Sequence, residues 1–172
     1  CIWDVANGRL LKQMTPGGVD HAFAPDGKRM SFRDPDSKKM MLWDLETDRA
    51  VATLPVGPQK VLFSPDCRTF VTGSETDMVR VWDSATGREL RRFKGPVGNG
   101  TDPVVFSTKG NLLATSCRYW NDDYTIRLWD VARGTELRPC GGHATGITSL
   151  AISPDGKKLI SGSEDPSARI WE

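Results

Sequence analysis

A tryptophan followed by an acidic residue recurs along the chain, and this recurrence constrains the fold more than any other feature. The pairs are Trp3-Asp4, Trp43-Asp44, Trp82-Asp83, Trp129-Asp130 and Trp171-Glu172, spaced 40, 39, 47 and 42 residues apart. A second marker lies about twenty residues before each of the last four pairs, and its clearest copy reads Ile152-Ser153-Pro154-Asp155-Gly156. Two markers in phase predict a repeat architecture in which each unit buries its core against its neighbours.

Each repeat is predicted to contain four short β-strands. Pro-Asp-Gly favours a turn, because proline presets φ and glycine accepts a positive φ. The residues before each tryptophan alternate with the period of a strand, as in Met78-Val79-Arg80-Val81-Trp82. A second turn, such as Ala85-Thr86-Gly87, and a fourth apolar segment follow. No segment offers ten residues with a helical period, so the chain is predicted to be all-β.

These features make the chain similar to the WD40-repeat family over essentially its whole length. The best copy runs from Gly142-His143 through Pro154-Asp155-Gly156 and Ser161-Gly162-Ser163 to Trp171. The resemblance implies a WD40 β-propeller of about four blades, each a four-stranded antiparallel sheet. The phrases Gly-Arg-Glu-Leu and Pro-Asp-Gly-Lys resemble bacterial members, so a bacterial-type member with a partial propeller is expected.

The strand count divides the chain into blades. We expect a partial blade at 1–18, blades at 19–54, 55–94 and 95–140, and an incomplete blade at 141–172. In WD40 rings a strand from the other end of the chain completes the last blade, but here that would leave the first predicted strand over. We therefore expect a fragment of a larger ring, the alternative being a small ring with a displaced first strand. An open ring exposes strand edges, which favours edge-to-edge self-association.

The resemblance also implies a structural hydrogen-bond network in the last repeat. Its members are His143, Ser161, Asp165 and Trp171, with Ser163 as the alternative to Ser161. A histidine, an aspartate and a serine also suggest a hydrolase, but these positions match a structural motif that ends on an indole. The other repeats lack Gly-His and have Ser37, Thr76 and Asp123 six residues before the tryptophan, so the network is expected only in the last repeat. The alternative is that Asp36 and Asp77, which lie next to this position, take the role of the aspartate in their own repeats.

Other signals for chemistry are weak. The four cysteines form no Cys-x-x-Cys pair, and the acidic loops at 34–37 and 121–123 do not fit the twelve-residue calcium loop. The formal net charge of +1 gives no long-range attraction to nucleic acid, and no apolar run reaches the roughly 18 residues of a membrane helix. We predict no enzyme activity, no cofactor and no metal, and we disfavour nucleic acid and membrane as partners.

The third full repeat carries extra residues in two loops, at 95–100 and at 118–121. In the propeller these two loop types emerge on the same face, which WD40 proteins use most often for partners. Arg118, Tyr119 and Trp120 belong to residue types enriched at interface hot spots, and with Asn121 they form the predicted partner-binding site. The alternative is that the rings pack locally over the blade edges.

The predicted function is a non-catalytic protein–protein interaction scaffold that binds a peptide or protein segment on this loop face. The rival prediction is a regulatory or sensing propeller region of a larger multidomain enzyme, such as a bacterial kinase. Family resemblance and the lack of a catalytic constellation favour the scaffold.

Overall fold

The computed structural model describes residues 1–13, 18–54, 60–73, 78–94, 103–116 and 124–172. Every regular element in these ranges is a β-strand, and the strands form five antiparallel sheets. Within each sheet the strands are neighbours in chain order, as successive hairpins require. The predicted all-β fold with four-stranded antiparallel sheets is therefore confirmed.

The sheets follow one another along the chain. The leading pair contains β1 (Ile2–Trp3) and β2 (Leu10–Lys12). The first sheet contains β3 (Val19–Phe23), β4 (Arg29–Arg33), β5 (Met40–Asp44) and β6 (Arg49–Leu54). The second sheet contains β7 (Lys60–Phe63), β8 (Thr69–Gly73), β9 (Met78–Asp83) and β10 (Glu89–Lys94). The third sheet contains β11 (Val104–Phe106), β12 (Leu112–Ser116), β13 (Ile126–Asp130) and β14 (Thr135–Cys140). The last sheet contains β15 (Ile147–Ile152), β16 (Leu159–Ser163) and β17 (Ala168–Trp171).

The turn between the first two strands of a sheet explains the second sequence marker. In the last sheet, Ser153 Oγ donates to Asp155 Oδ1 at 2.6 Å and accepts from the Lys158 N–H at 2.9 Å. Gly156 follows with a φ of 73°, which a residue without Cβ adopts at no steric cost. Cys67 holds the same position in the second sheet with a φ of 58°, so the turn geometry persists there without the glycine.

Neighbouring sheets pack face to face through three hydrophobic clusters of described residues, one at each junction from the first sheet to the last. The cluster between the second and third sheets contains Val81 and Phe93 on one side and Leu113 and Trp129 on the other. The rings of Phe93 and Trp129 stack with their centroids 4.5 Å apart. Each sheet therefore buries its apolar residues against the next sheet, as the repeat pattern predicts.

The position of Phe93 is filled differently at each junction. Strand pairing places Leu54, Phe93 and Cys140 at equivalent positions of the fourth strand in the first, second and third sheets. Cys140 has the smallest of these side chains, and a cavity of about 60 Å³ lies beside it and Trp171 at the junction of the third and last sheets. The smaller side chain of Cys140 thus stands beside this cavity, where Phe93 and Leu54 stand at the other two junctions.

Candidate functional site

The last sheet brings His143, Ser161, Asp165 and Trp171 together. The Trp171 Nε1–H donates to Ser161 Oγ at 3.0 Å, and Ser161 Oγ lies 2.7 Å from His143 Nε2. On the other side of the imidazole, His143 Nδ1 lies 3.0 Å from Asp165 Oδ2. Ser163, the alternative to Ser161, donates instead to the Gly146 carbonyl at 2.9 Å.

Donor and acceptor chemistry gives this chain of hydrogen bonds one direction. The ionised Asp165 carboxylate can only accept, so the His143 Nδ1–H donates to it. An imidazole with its proton on Nδ1 has a free acceptor at Nε2, so Ser161 Oγ–H donates to Nε2 while Ser161 Oγ accepts from the Trp171 indole. Every member therefore has a partner that matches its role.

The centre of the network, His143 and Ser161, is shielded from solvent. The His143 side chain is 0% exposed, Ser161 is 1% exposed and the Asp165 side chain is 13% exposed. A hydrolase needs a serine oxygen that a substrate can reach, whereas Ser161 Oγ already accepts from the indole. The arrangement can fix strands β16 and β17 to the loop that carries His143, and it offers no nucleophile to a substrate.

Asp165 is the charged end of the network. Ser167 Oγ–H donates to its carboxylate, and the N–H groups of Ala144 and Ser167 each donate at 3.0 Å. The Ser167 hydroxyl above all, with these N–H groups and His143, holds the pKa of Asp165 well below its usual range, because each bond favours the ionised form.

We expect acid to weaken the fold through Asp165. Its pKa is lower in the folded chain than in the unfolded chain, so its contribution to the free energy of unfolding is complete above about pH 5. That contribution is lost as the pH falls below about 4 toward the folded pKa. Urea unfolding between about pH 6 and pH 3 measures the effect, and the midpoint should fall more in the wild type than in Asp165→Asn.

Other carboxylates provide the background for that comparison. Among the described residues, five more aspartates have a lowered pKa whose largest cause is a hydrogen bond from a nearby turn residue: Asp34, Asp44, Asp83, Asp130 and Asp155. Asp165→Asn should therefore retain part of the acid sensitivity. Identical pH curves for the two proteins would contradict a role for Asp165.

The tryptophan half of the network recurs in two other sheets. The Trp82 Nε1–H donates to Thr72 Oγ1 at 2.9 Å, and the Trp129 Nε1–H donates to Thr115 Oγ1 at 3.0 Å. The expectation that such bonds are confined to the last repeat is therefore wrong for this half. A sequence signal was present, since Thr72, Thr115 and Ser161 each lie eight residues after the serine of the turn marker.

The first sheet holds its tryptophan differently. Phe32 stands where the other sheets have the hydroxyl, and the Trp43 Nε1–H donates instead to Asp48 Oδ1 at 3.0 Å. Asp48 has a φ of 56° in the turn where the second and third sheets have Gly87 and Gly134, with φ of 67° and 68°. Aspartate tolerates this left-handed conformation better than most residues. A turn carboxylate therefore replaces the strand hydroxyl.

The predicted partner-binding residues Arg118, Tyr119, Trp120 and Asn121 lie outside the described residues. In the acidic loop at 34–37, Asp34 accepts hydrogen bonds from the backbone and side chain of Ser37 and closes a turn. Within the described ranges, no group of three or more His, Cys, Asp or Glu side chains is placed to hold a metal ion. The same ranges contain no helix long and apolar enough to cross a membrane.

Three segments, residues 56–83, 87–130 and 134–172, match the family model described as "WD domain, G-beta repeat". Together they cover more than half of the chain, and each contains a tryptophan whose indole binds a strand hydroxyl. The chain belongs to the WD40-repeat family. Its indole–hydroxyl bonds thus occur in each of the three segments that match the WD40 family.

Similar WD40 relatives come from several eukaryotes. The guanine nucleotide-binding protein subunit beta-5b of Danio rerio is 30% identical, over 99% of this chain and 44% of the relative. The nuclear distribution protein PAC1 of Arthroderma otae is 29% identical, over 99% of this chain and 44% of the relative. The guanine nucleotide-binding protein subunit beta of Nicotiana tabacum is 36% identical, over 99% of this chain and 50% of the relative. The chain thus spans half or less of the length of these curated relatives.

The relatives do not support the expected bacterial-type member, because those named are from a fish, a fungus and a plant. The phrase Pro-Asp-Gly-Lys has a local physical cause instead. Asp155 Oδ1 accepts the Lys157 N–H at 3.1 Å, and Asp26 Oδ1 accepts the Lys28 N–H at 2.9 Å. Turn geometry therefore accounts for the aspartate of the phrase, and Arg68 N–H makes the same bond to Asp66 in the second sheet.

Proposed function

We propose that this WD40 chain is a non-catalytic interaction scaffold that binds a peptide or protein segment on its loop face. The observation that carries the proposal is the burial of the hydrogen-bonded His143 and Ser161 side chains. Because they are buried, this His-Asp-Ser group of the described residues stabilises the last sheet and is not accessible to a substrate. A rigid frame of this kind leaves contact with partners to the loops. Two relatives are named as subunits of guanine nucleotide-binding proteins, and hence as components of assemblies.

The connections that would form the loop face leave their sheets at neighbouring points. In the last sheet, the Ala144 N–H before β15 donates to Asp165 between β16 and β17. In the third sheet, the Ser116 N–H at the end of β12 donates to the Pro103 carbonyl before β11 at 3.2 Å. This supports placing the two long connections of the third repeat, before β11 and after β12, on one face.

The residue types in the second of these connections fit a binding surface. Arg118, Tyr119 and Trp120 combine large contact areas with polar groups, and Asn121 adds an amide that can donate and accept. Anchors of this kind dominate the binding energy of many interfaces. The proposal therefore assigns recognition to these four side chains.

The double variant Tyr119→Ala/Trp120→Ala tests the proposal. In a quantitative pull-down from source lysate, followed by titration of the captured protein, we expect binding to weaken at least tenfold, as for hot-spot residues. Circular dichroism and the unfolding midpoint should stay unchanged. Trp3→Ala is the matched control, because Trp3 is a 56% exposed tryptophan on the leading pair. Equal capture by the wild type and the double variant would refute the loop-face site.

A further inference from the structure

The turns that follow the four Trp-Asp pairs share one side-chain hydrogen bond. In each turn the aspartate accepts from the side chain three residues later. The donors are the Asn7 amide at 2.7 Å, the Thr47 hydroxyl at 2.9 Å, the Thr86 hydroxyl at 2.7 Å and the Arg133 guanidinium at 3.0 Å. Since an ionised carboxylate can only accept, this position of the turn requires a donor.

Asn7 makes two bonds in the turn between β1 and β2. Its Nδ2 donates to Asp4 Oδ2, and its Oδ1 accepts the Arg9 N–H at 2.9 Å. The Gly8 N–H donates to the Asp4 carbonyl at 2.8 Å, and Gly8 has a φ of 68°. All three bonds lie within residues 4–9, so this turn is closed by its own residues.

A hydroxyl makes the same two bonds in the second sheet. Thr86 Oγ1 donates to Asp83 Oδ1 and accepts the Arg88 N–H at 3.3 Å. Gly87 follows with a φ of 67°, and its N–H donates to the Asp83 carbonyl at 2.9 Å. The geometry of the turn therefore does not require an asparagine, and threonine closes it without an amide.

Of the four turns, only the one between β1 and β2 has an asparagine followed by glycine, a pair that reacts spontaneously in water. The Gly8 backbone nitrogen can attack Asn7 Cγ, because glycine has no side chain to hinder the approach. A C–N bond forms between these atoms, the bond from Cγ to Nδ2 breaks, and the Gly8 amide proton leaves with the side-chain nitrogen as ammonia. Water then opens the cyclic imide at either carbonyl. The product has a carboxylate at residue 7, as aspartate or as its β-linked isomer.

The closed turn opposes this reaction, and the product opposes the closed turn. The Gly8 N–H is bonded to the Asp4 carbonyl and the Asn7 amide is held by two bonds, so the reaction requires local opening of the turn. After deamidation residue 7 has no donor for Asp4, and two carboxylates would meet where a 2.7 Å hydrogen bond was. The β-linked isomer also lengthens the main chain. The change is therefore one-way.

We propose that Asn7 is a spontaneous modification site, at which hydrolytic deamidation irreversibly opens the turn between β1 and β2. Water is the only co-reactant. The strand register joins β1 and β2 at only two residue pairs, so little else in this strand pair opposes opening once the turn is lost. The site is separate from the proposed loop face, so the two proposals can fail independently.

Mass spectrometry of tryptic fragments measures the modification. The full chain is incubated in mildly alkaline buffer with and without urea, and the fragment of residues 1–9 is followed over time. We expect the mass change for conversion of an amide to an acid, at a rate roughly tenfold or more higher in urea than in the folded chain. Asn99-Gly100 lies in the fragment of residues 95–109, so the two asparagine–glycine pairs are measured independently.

The variants Asn7→Asp and Asn7→Thr test the consequence for the turn. In Asn7→Asp, hydrogen exchange at the Gly8 amide should be roughly tenfold faster than in the wild type, because the turn loses its donor and gains a like charge. Asn7→Thr should exchange as the wild type does and should not deamidate at residue 7, because Thr86 makes the same bonds in the second sheet. Circular dichroism should show that both variants keep the β-sheet.

Three results would overturn the proposal. The first is that residue 7 does not deamidate in urea. The second is that it deamidates as fast in the folded chain as in urea, since the turn would then offer no protection. The third is that Asn7→Asp leaves the Gly8 exchange rate at the wild-type value, because the modification would then not open the turn.

Discussion

Ser161→Ala is expected to lower the free energy of unfolding by about 2–3 kcal/mol, because a buried imidazole and a half-buried indole lose their partner together. The Trp171 indole N–H loses its acceptor, and His143 Nε2 loses its donor. The His143 side chain is fully buried, so solvent water does not replace the hydroxyl. A buried polar group left without a hydrogen bond costs about 1–3 kcal/mol, and the half-buried indole N–H adds part of that cost to the cost at His143.

Ser161→Thr is the matched control for this prediction. Thr72 and Thr115 already bind their tryptophans from the equivalent position, so a threonine hydroxyl should keep the network within about 1 kcal/mol of the wild type. Urea unfolding followed by circular dichroism measures both changes. Equal losses for the alanine and threonine variants would show that the hydroxyl is not what stabilises this sheet.

Phe93→Ala is expected to cost about 3–4 kcal/mol, the usual range for removing a buried aromatic side chain. Phe93 is 6% exposed and lies between the second and third sheets, where its ring stacks on Trp129. The alanine would leave a cavity between two sheets that cannot collapse without shifting a whole strand. The same urea titration gives the magnitude.

Two variants on the same position and strand provide the comparison. Phe93→Leu should lose much less stability, because Leu54 fills the equivalent position of the first sheet and is buried there. Leu90→Ala should change the free energy of unfolding by about 0.5 kcal/mol or less, since Leu90 is 40% exposed. If Phe93→Ala and Leu90→Ala were equally mild, the junction between sheets would not be a major source of stability.

The strands could be predicted from the sequence because both markers have local causes. A Pro-Asp-Gly turn is built within six residues, as the bonds of Ser153 and Asp155 show, and alternation shows which side chains share a face. The strands of the described sheets therefore follow the predicted order. The blade limits at 1–18, 19–54, 55–94, 95–140 and 141–172 stay predictions.

The hydrogen-bond acceptors of the tryptophans were harder to predict from the sequence, because they depend on which strand position faces the indole. Thr72 and Thr115 are ordinary residues in a strand pattern, and only the register shows that they face Trp82 and Trp129. The replacement of the strand hydroxyl by Asp48 in the first sheet is harder still to predict from the sequence. It requires knowing that a carboxylate in the turn at Asp48 reaches the same indole nitrogen that a hydroxyl reaches elsewhere.

The partner-binding residues show a different limit. Counting residues between markers reveals that the third repeat is longer, and composition reveals arginine, tyrosine and tryptophan in the added part. Neither property gives the direction of a side chain in a loop, since no strand or helix period constrains it. Arg118, Tyr119, Trp120 and Asn121 therefore stay predictions that the double variant can decide.

The bond between Trp43 and Asp48 also bears on the order in which the first sheet assembles. These residues are five positions apart within the hairpin of β5 and β6, whereas the indole bonds of Trp82, Trp129 and Trp171 span 10, 14 and 10 positions and join the second and third strands of their sheets. Closing a shorter loop costs less chain entropy, and hairpins form within microseconds. The indole bond of the first sheet can therefore form before β4 pairs with β5. In the other sheets the indole bond forms only after the second strand has paired with the third.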